Sequence, residues 1–137
     1  MHHNRKKNMT TIPASHRDLL ERPLYAHLAT IRPDGTPQVN PMWFTWDGEY
    51  LYFTNTRTRQ KYVNVTAHPA VAISVNDPDQ PYRYLEVRGV VERIDDDSSG
   101  AMFAALAERY GLTMEGPPGD VADRVTYVVR PTATSRQ

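Results

Sequence analysis

Residues 24–55, LYAHLATIRPDGTPQVNPMWFTWDGEYLYFTN, decide the fold. Three runs rich in aromatic and β-branched residues, LYAHLATI, QVNPMWFTW and EYLYFTN, are separated by RPDGTP and by Asp47-Gly48. An Asp-Gly pair, here Asp34-Gly35 and Asp47-Gly48, supplies the positive-φ backbone that tight hairpin turns require. Connections this short join antiparallel neighbours, because a parallel pair needs a crossover of a dozen or more residues. The expected core is therefore a run of three consecutive antiparallel strands. Pro41 interrupts the second of them; it removes a ladder donor and belongs at an edge or a bulge.

Working outward, PASHRDLLERP (13–23) predicts a short helix capped near Ser15 and ended by Pro23. After the third strand, Thr58 is a good N-cap for a helix that closes at His68-Pro69. AVAISVND (70–77) and PYRYLEVRGVVERID (81–95) read as a fourth and a long fifth strand. DSSGAMFAALAERYG (97–111) carries Met102, Phe103, Leu106 and Tyr110 at helical spacing, GPPGD is a loop, and RVTYVVRP (124–131) is the last strand. No internal repeat appears. The class that follows is mainly β, a small β-barrel with flanking helices. The expected organisation is a disordered tail over residues 1–12, or there the remnant of an expression tag, then one domain over residues 13–133.

The 137 residues carry 16 Lys and Arg against 16 Asp and Glu, so no global field favours a nucleic acid. There is no cysteine, which removes thiolate catalysis, disulfides and zinc–thiolate sites together. No run reaches the length of a membrane span, and no pattern of cations, apolar stretch and small-residue cleavage site opens the chain. The expectation is a cytoplasmic protein with no nucleic-acid or membrane partner.

Resident catalytic chemistry is absent as well. The sequence lacks a Gly-x-Ser-x-Gly elbow, a His-Glu-x-x-His pair, a Walker loop and a dinucleotide glycine fingerprint. His27 and His68 have no nucleophile or carboxylate beside them, and Asp95, Asp96 and Asp97 read as a capping run ahead of a helix. No catalytic residue and no metal site is assigned. An enzyme built from this chain would borrow a cofactor.

One charge pattern is anomalous. In TNTRTRQKYVNVTAHP (54–69), Arg57, Arg59 and Lys61 crowd a helix N-terminus that already behaves as a partial positive charge. Two readings stay open: a solvated basic face, or an anion held by first-turn N–H groups with the cations around it.

The segment LATIRPDGTPQVNPMWFTWDGEYLYFTNTRTRQKYVNVTAHPAVAISV, within a likeness running over residues 24–94, resembles the pyridoxamine 5′-phosphate oxidase-like superfamily of flavin and deazaflavin binders. Arg59-x-Lys61-x-x-Asn64 followed by His68-Pro69 is similar to that family's phosphate-binding helix. The strand ending in Phe53, Thr54 and Asn55 resembles its companion strand. The resemblance implies a split β-barrel of the FMN-binding type. It also implies a homodimer with the cofactor site at the subunit interface, where Tyr84, with Tyr82 and Arg83, reaches in from the second subunit.

It further implies that Val39, Asn40, Pro41, Met42, Trp43 and Phe44 run along the cofactor ring, with Phe53 and Thr54 beside them. Arg59, Gln60, Lys61 and Asn64 then bind the phosphate end. Gln60 separates Arg59 from Lys61, where the oxidases place Arg and Lys side by side, and a basic segment that grips pyridoxal phosphate is missing after Pro131. The chain is thus more similar to the reductases that use coenzyme F420, a deazaflavin. Implied is an F420-dependent hydride transfer to a small conjugated electrophile such as an enone or quinone. The alternatives are an oxidoreductase using flavin mononucleotide (FMN) on the same fold, or a non-catalytic cofactor- or ligand-binding protein.

Overall fold

A computed structural model describes residues 10–137. In chain order the elements are α1 (Asp18–Glu21), β1 (Ala26–Ile31), β2 (Pro37–Met42), β3 (Phe44–Trp46), β4 (Leu51–Thr56), α2 (Gln60–Ala67), β5 (Ala70–Asn76), β6 (Tyr84–Asp96), α3 (Ala101–Arg109) and β7 (Arg124–Arg136). The tail expected over residues 1–12 falls largely outside the described residues. Inside them, the Thr10 N–H donates to the Pro131 carbonyl at 3.1 Å, and Ile12 is buried in the core.

All seven strands form one antiparallel sheet in the order β2-β1-β5-β6-β7-β4-β3. Laid flat, strands spaced about 4.8 Å apart would hold β2 and β3 roughly 29 Å from each other. Yet only Trp43 separates them in sequence, and two peptide steps span at most about 7 Å. The sheet must curl until its two margins meet. The result is a split barrel, mainly β, as the sequence implies. Its interior is filled by Leu28, Phe44, Phe53, Ile73, Val75, Leu85, Val87, Tyr127 and Val129.

The second predicted strand is thus two strands with a break at Trp43. One half pairs with β1, as Val39 opposite Ala29, and the other with β4, as Phe44 opposite Phe53. The break is held from α3. The Phe44 N–H donates to the Tyr110 hydroxyl (3.0 Å), which donates in turn to the Leu24 carbonyl (2.7 Å). Arg109 Nε donates to the Phe44 carbonyl (2.8 Å), and its terminal nitrogens donate to the carbonyls of Leu20, Glu21 and Arg22 at the end of α1.

Of the strand boundaries that differ from the sequence reading, two have a specific physical cause. β6 begins at Tyr84 rather than Pro81, so Tyr82 and Arg83 lie in the preceding turn. Arg83 is drawn from the strand path by Asp18 (2.6 Å) and Asp77 (3.1 Å). β7 runs on past Pro131 to Arg136, because a register shift next to Gly89 accommodates the proline. A side chain at Gly89 would meet the Arg130 carbonyl at 2.7 Å, so glycine is required there. Asp97 caps α3 as its sequence position suggests, accepting from the N–H groups of Met102 and Phe103, each at 3.0 Å.

Candidate functional site

α2 lies across β1 and β2, and its geometry is fixed by amides. Asn64, fully buried, donates from Nδ2 to Thr30 Oγ1 (2.9 Å) on β1 and to Gln38 Oε1 (3.0 Å) on β2. Gln60 Nε2 donates to Asn64 Oδ1 (2.9 Å). Gln38 Nε2 donates to Asn40 Oδ1 (3.0 Å), and Lys61 Nζ reaches the same oxygen at 3.4 Å. The alternation of β2 puts Gln38, Asn40 and Met42 on the half-buried face toward α2, while Val39 and Pro41 are exposed on the other.

The expected Thr58 cap is not formed. Helix α2 starts at Gln60, Arg59 occupies the N-cap position with extended backbone, and no side chain caps the end. The Thr58 hydroxyl is instead 2.8 Å from that of Thr56. The Tyr62 N–H donates to the Arg59 carbonyl (3.1 Å), but no side chain caps the N–H groups of Gln60 and Lys61, a state that costs stability unless water or an anion meets them.

The three cations of this segment separate cleanly. Arg57 pairs with Asp96 at 3.1 Å and is accounted for. Among the described residues, neither Arg59 nor Lys61 has a carboxylate within ion-pair distance. Burial first, and then the charge of Arg59, hold the Lys61 ammonium below its ordinary pKa. The fold therefore sets a half-buried lysine, with no carboxylate partner, beside N–H donors that no side chain caps. A phosphate supplies what this arrangement lacks: negative charge, and acceptors for both the cations and the backbone.

Phe44 and Phe53 are fully buried and pack on each other with ring centres 6.0 Å apart. Trp43 stacks on Tyr110 (5.3 Å) and meets the Phe103 ring at a tilt (5.8 Å) in the α3 region. Thr54 is buried, and its oxygen accepts from Arg124 Nη2 (2.9 Å), which leaves its hydroxyl proton for another acceptor. Asn40, Gln60, Lys61 and Asn64 are brought together; Phe44 and Phe53 belong to the core. Tyr84 pairs with Asn76, four residues along β5 from Ala72, which faces Ala29 of β1. That places it roughly 13 Å along the strand direction, and two strands across, from the part of β1 beneath α2 in its own chain.

Sequence reasoning missed three contributors. Gln38 was legible in principle, since it shares a strand face with Asn40. Thr30 and Arg124 were not: each meets its partner only through the long-range fold.

The profile of the family described as Pyridoxamine 5′-phosphate oxidase matches residues 12–136. A pyridoxine/pyridoxamine 5′-phosphate oxidase of Azorhizobium caulinodans is 37% identical over 79 residues, which are 56% of this chain and 36% of that protein. The match thus spans about a third of that curated relative. A solved structure named F420 Reductase is 63% identical, with a TM-score of 0.89, covering 92% of this chain and 100% of that one. A conserved hypothetical protein of Mycobacterium tuberculosis is 25% identical, with a TM-score of 0.71, covering 94% and 86%. Among the described residues, no helix is long and apolar enough to cross a membrane.

Proposed function

Because this chain belongs to the pyridoxamine 5′-phosphate oxidase family, we propose that it is an oxidoreductase whose cofactor is a phosphate-bearing flavin-type ring, coenzyme F420 in preference to FMN. The substrate is a small conjugated electrophile such as an enone or quinone. The observation that carries this reading is the pair Arg59 and Lys61, without carboxylate partners at the uncapped start of α2. The preference for the deazaflavin is supported by the 63% identity to the protein named F420 Reductase.

When bound, the cofactor supplies a hydride for the substrate carbon. The protein's part is to bind and orient. Arg59 and Lys61 hold the phosphate with the first-turn N–H groups of α2, and the amide contacts of Asn64 keep that helix end in register with β1 and β2. β2 is a sheet margin, so its outward backbone groups are free to meet a ring edge. The Thr54 hydroxyl, oriented by Arg124, is a further donor. The compensating proton comes from solvent. A homodimer in which Tyr84 serves the site of the second subunit, in the cytoplasm, completes the proposal.

Titration of the purified protein with F420 and FMN, followed by fluorescence, tests it. F420 binding that weakens at least tenfold in Lys61→Ala, together with F420H2-dependent reduction of a quinone such as menadione, is the expected result. Unchanged affinity in the variant would sink the site. Binding without turnover of enones or quinones would make the protein a carrier.

A further inference from the structure

We infer that Gln38 is a positioning residue for the anion site: through Asn40 it sets the direction in which Lys61 and the Asn40 amide face an incoming phosphate. This rests on the phosphate reading above and names a residue outside the motif that suggested it.

An ammonium group can only donate hydrogen bonds. Lys61 Nζ, 3.4 Å from Asn40, therefore requires the oxygen of that amide, Oδ1, on its side. Oδ1 also receives Gln38 Nε2 at 3.0 Å, so Gln38 must turn its own oxygen the other way, toward Asn64 Nδ2 at 3.0 Å. Asn64 then offers its oxygen to Gln60 Nε2 at 2.9 Å and its second N–H to Thr30. One charge fixes the polarity of four consecutive amides. Their common orientation leaves Asn40 Nδ2 without a partner among the described residues, beside an ammonium with N–H groups to spare. Two donors thus stand side by side, and Gln38 prevents Asn40 from turning over.

The choice of amides matters as much as their direction. Gln38, Asn40 and Asn64 could each have been the isosteric acid and still have accepted from a neighbour. Any carboxylate in this group would pair with Lys61 and compete with a bound anion. Four amides steady the lysine while leaving its charge unspent. Gln38 stands at the middle of this amide series and, among the described residues, is the single side chain hydrogen-bonded to both the amide on Lys61 and the buried Asn64.

The experiment compares FMN with riboflavin, which differ by the phosphate alone, and F420 with its chromophore 8-hydroxy-5-deazariboflavin, which lacks the phosphate together with the lactyl-glutamate tail it carries. Dissociation constants are measured for the wild type, Gln38→Ala, Lys61→Ala and the double variant, with thermal melts confirming folding. Gln38→Ala should weaken the phosphate-bearing ligand about five- to tenfold and the phosphate-free one less than about twofold. In the Lys61→Ala background the same change should cost less than about twofold. Gln38→Glu should lose the phosphate preference more completely than Gln38→Ala, although it keeps the shape.

Effects of the two single variants that simply multiply, or equal losses for both members of a ligand pair, overturn the role of Gln38. If Lys61→Ala leaves the phosphate preference intact, the anion site itself is misplaced and this inference falls with it.

Discussion

Tyr110 holds Phe44 by its backbone, the ring oxygen standing 3.0 Å from the amide nitrogen at the point where the chain passes from one margin of the sheet to the other. The same hydroxyl donates to Leu24, and burial raises its pKa, so it remains a donor through the physiological range. Tyr110→Phe should cost about 2 kcal/mol, because it leaves the Phe44 N–H and the Leu24 carbonyl short of a partner. Urea unfolding should show a lower midpoint at an unchanged slope.

Lys61 should be a burden to the ligand-free protein. Its folded pKa lies below 10.5 through burial and the charge of Arg59, so folding disfavours the ionised form. That penalty is fully present below the depressed folded value and fades as pH rises through it. Lys61→Met should accordingly raise the stability of the free protein by about 0.5 kcal/mol at neutral pH, with the gain shrinking in alkaline buffer. Thermal melts at the two pH values check both halves, and a loss of stability at neutral pH would contradict the account.

Asp97 ties the start of α3 to the end of β6 through its two oxygens. Asp97→Ala should cost about 1–2 kcal/mol and Asp97→Asn clearly less, since the amide keeps one acceptor. Amide hydrogen exchange at Met102 and Phe103 should accelerate first, ahead of global unfolding.

Arg83 governs acid stability. Its hydrogen bonds lead the causes that hold Asp18 low, while backbone bonding from Asp79 leads for Asp77, with Arg22 and Arg83 adding to it. Carboxylates with depressed folded pKa values stabilise above their unfolded value of 3.8 and lose that contribution as pH falls through the folded one. Arg83→Gln should therefore move the acid-unfolding midpoint, followed by circular dichroism, upward by a few tenths of a pH unit. An unmoved midpoint would show that Arg22 alone suffices.

What could be read in advance was local chemistry. The two Asp-Gly turns are specified within themselves: Gly35 and Gly48 have φ of 89° and 101°, and Asp34 and Asp47 accept the backbone N–H groups of Thr36 and of Glu49 and Tyr50. The two longer helices and six strand regions follow from periodicity. The break at Trp43 could not be read, because nothing near it in sequence announces a tyrosine from residue 110. Pro131 argued for a strand end, and only the Gly89 register shift on the neighbouring strand overrides it. In the site, the motif exposed Arg59, Lys61 and Asn64. The missing cap at Thr58 and the amide chain through Gln38 arise from packing between elements, which a linear reading does not contain.

The single-residue bridge at Trp43 has a bearing on solubility. A flat sheet of this length would present two raw borders to every other molecule in solution, each a template for runaway stacking into fibrils. Here both borders belong to one continuous run of backbone bent at Trp43, so each is only a short stretch, six residues in β2 and three in β3. Damage to that junction would therefore be expected to surface first as clumping during expression, before any loss of chemistry is noticed.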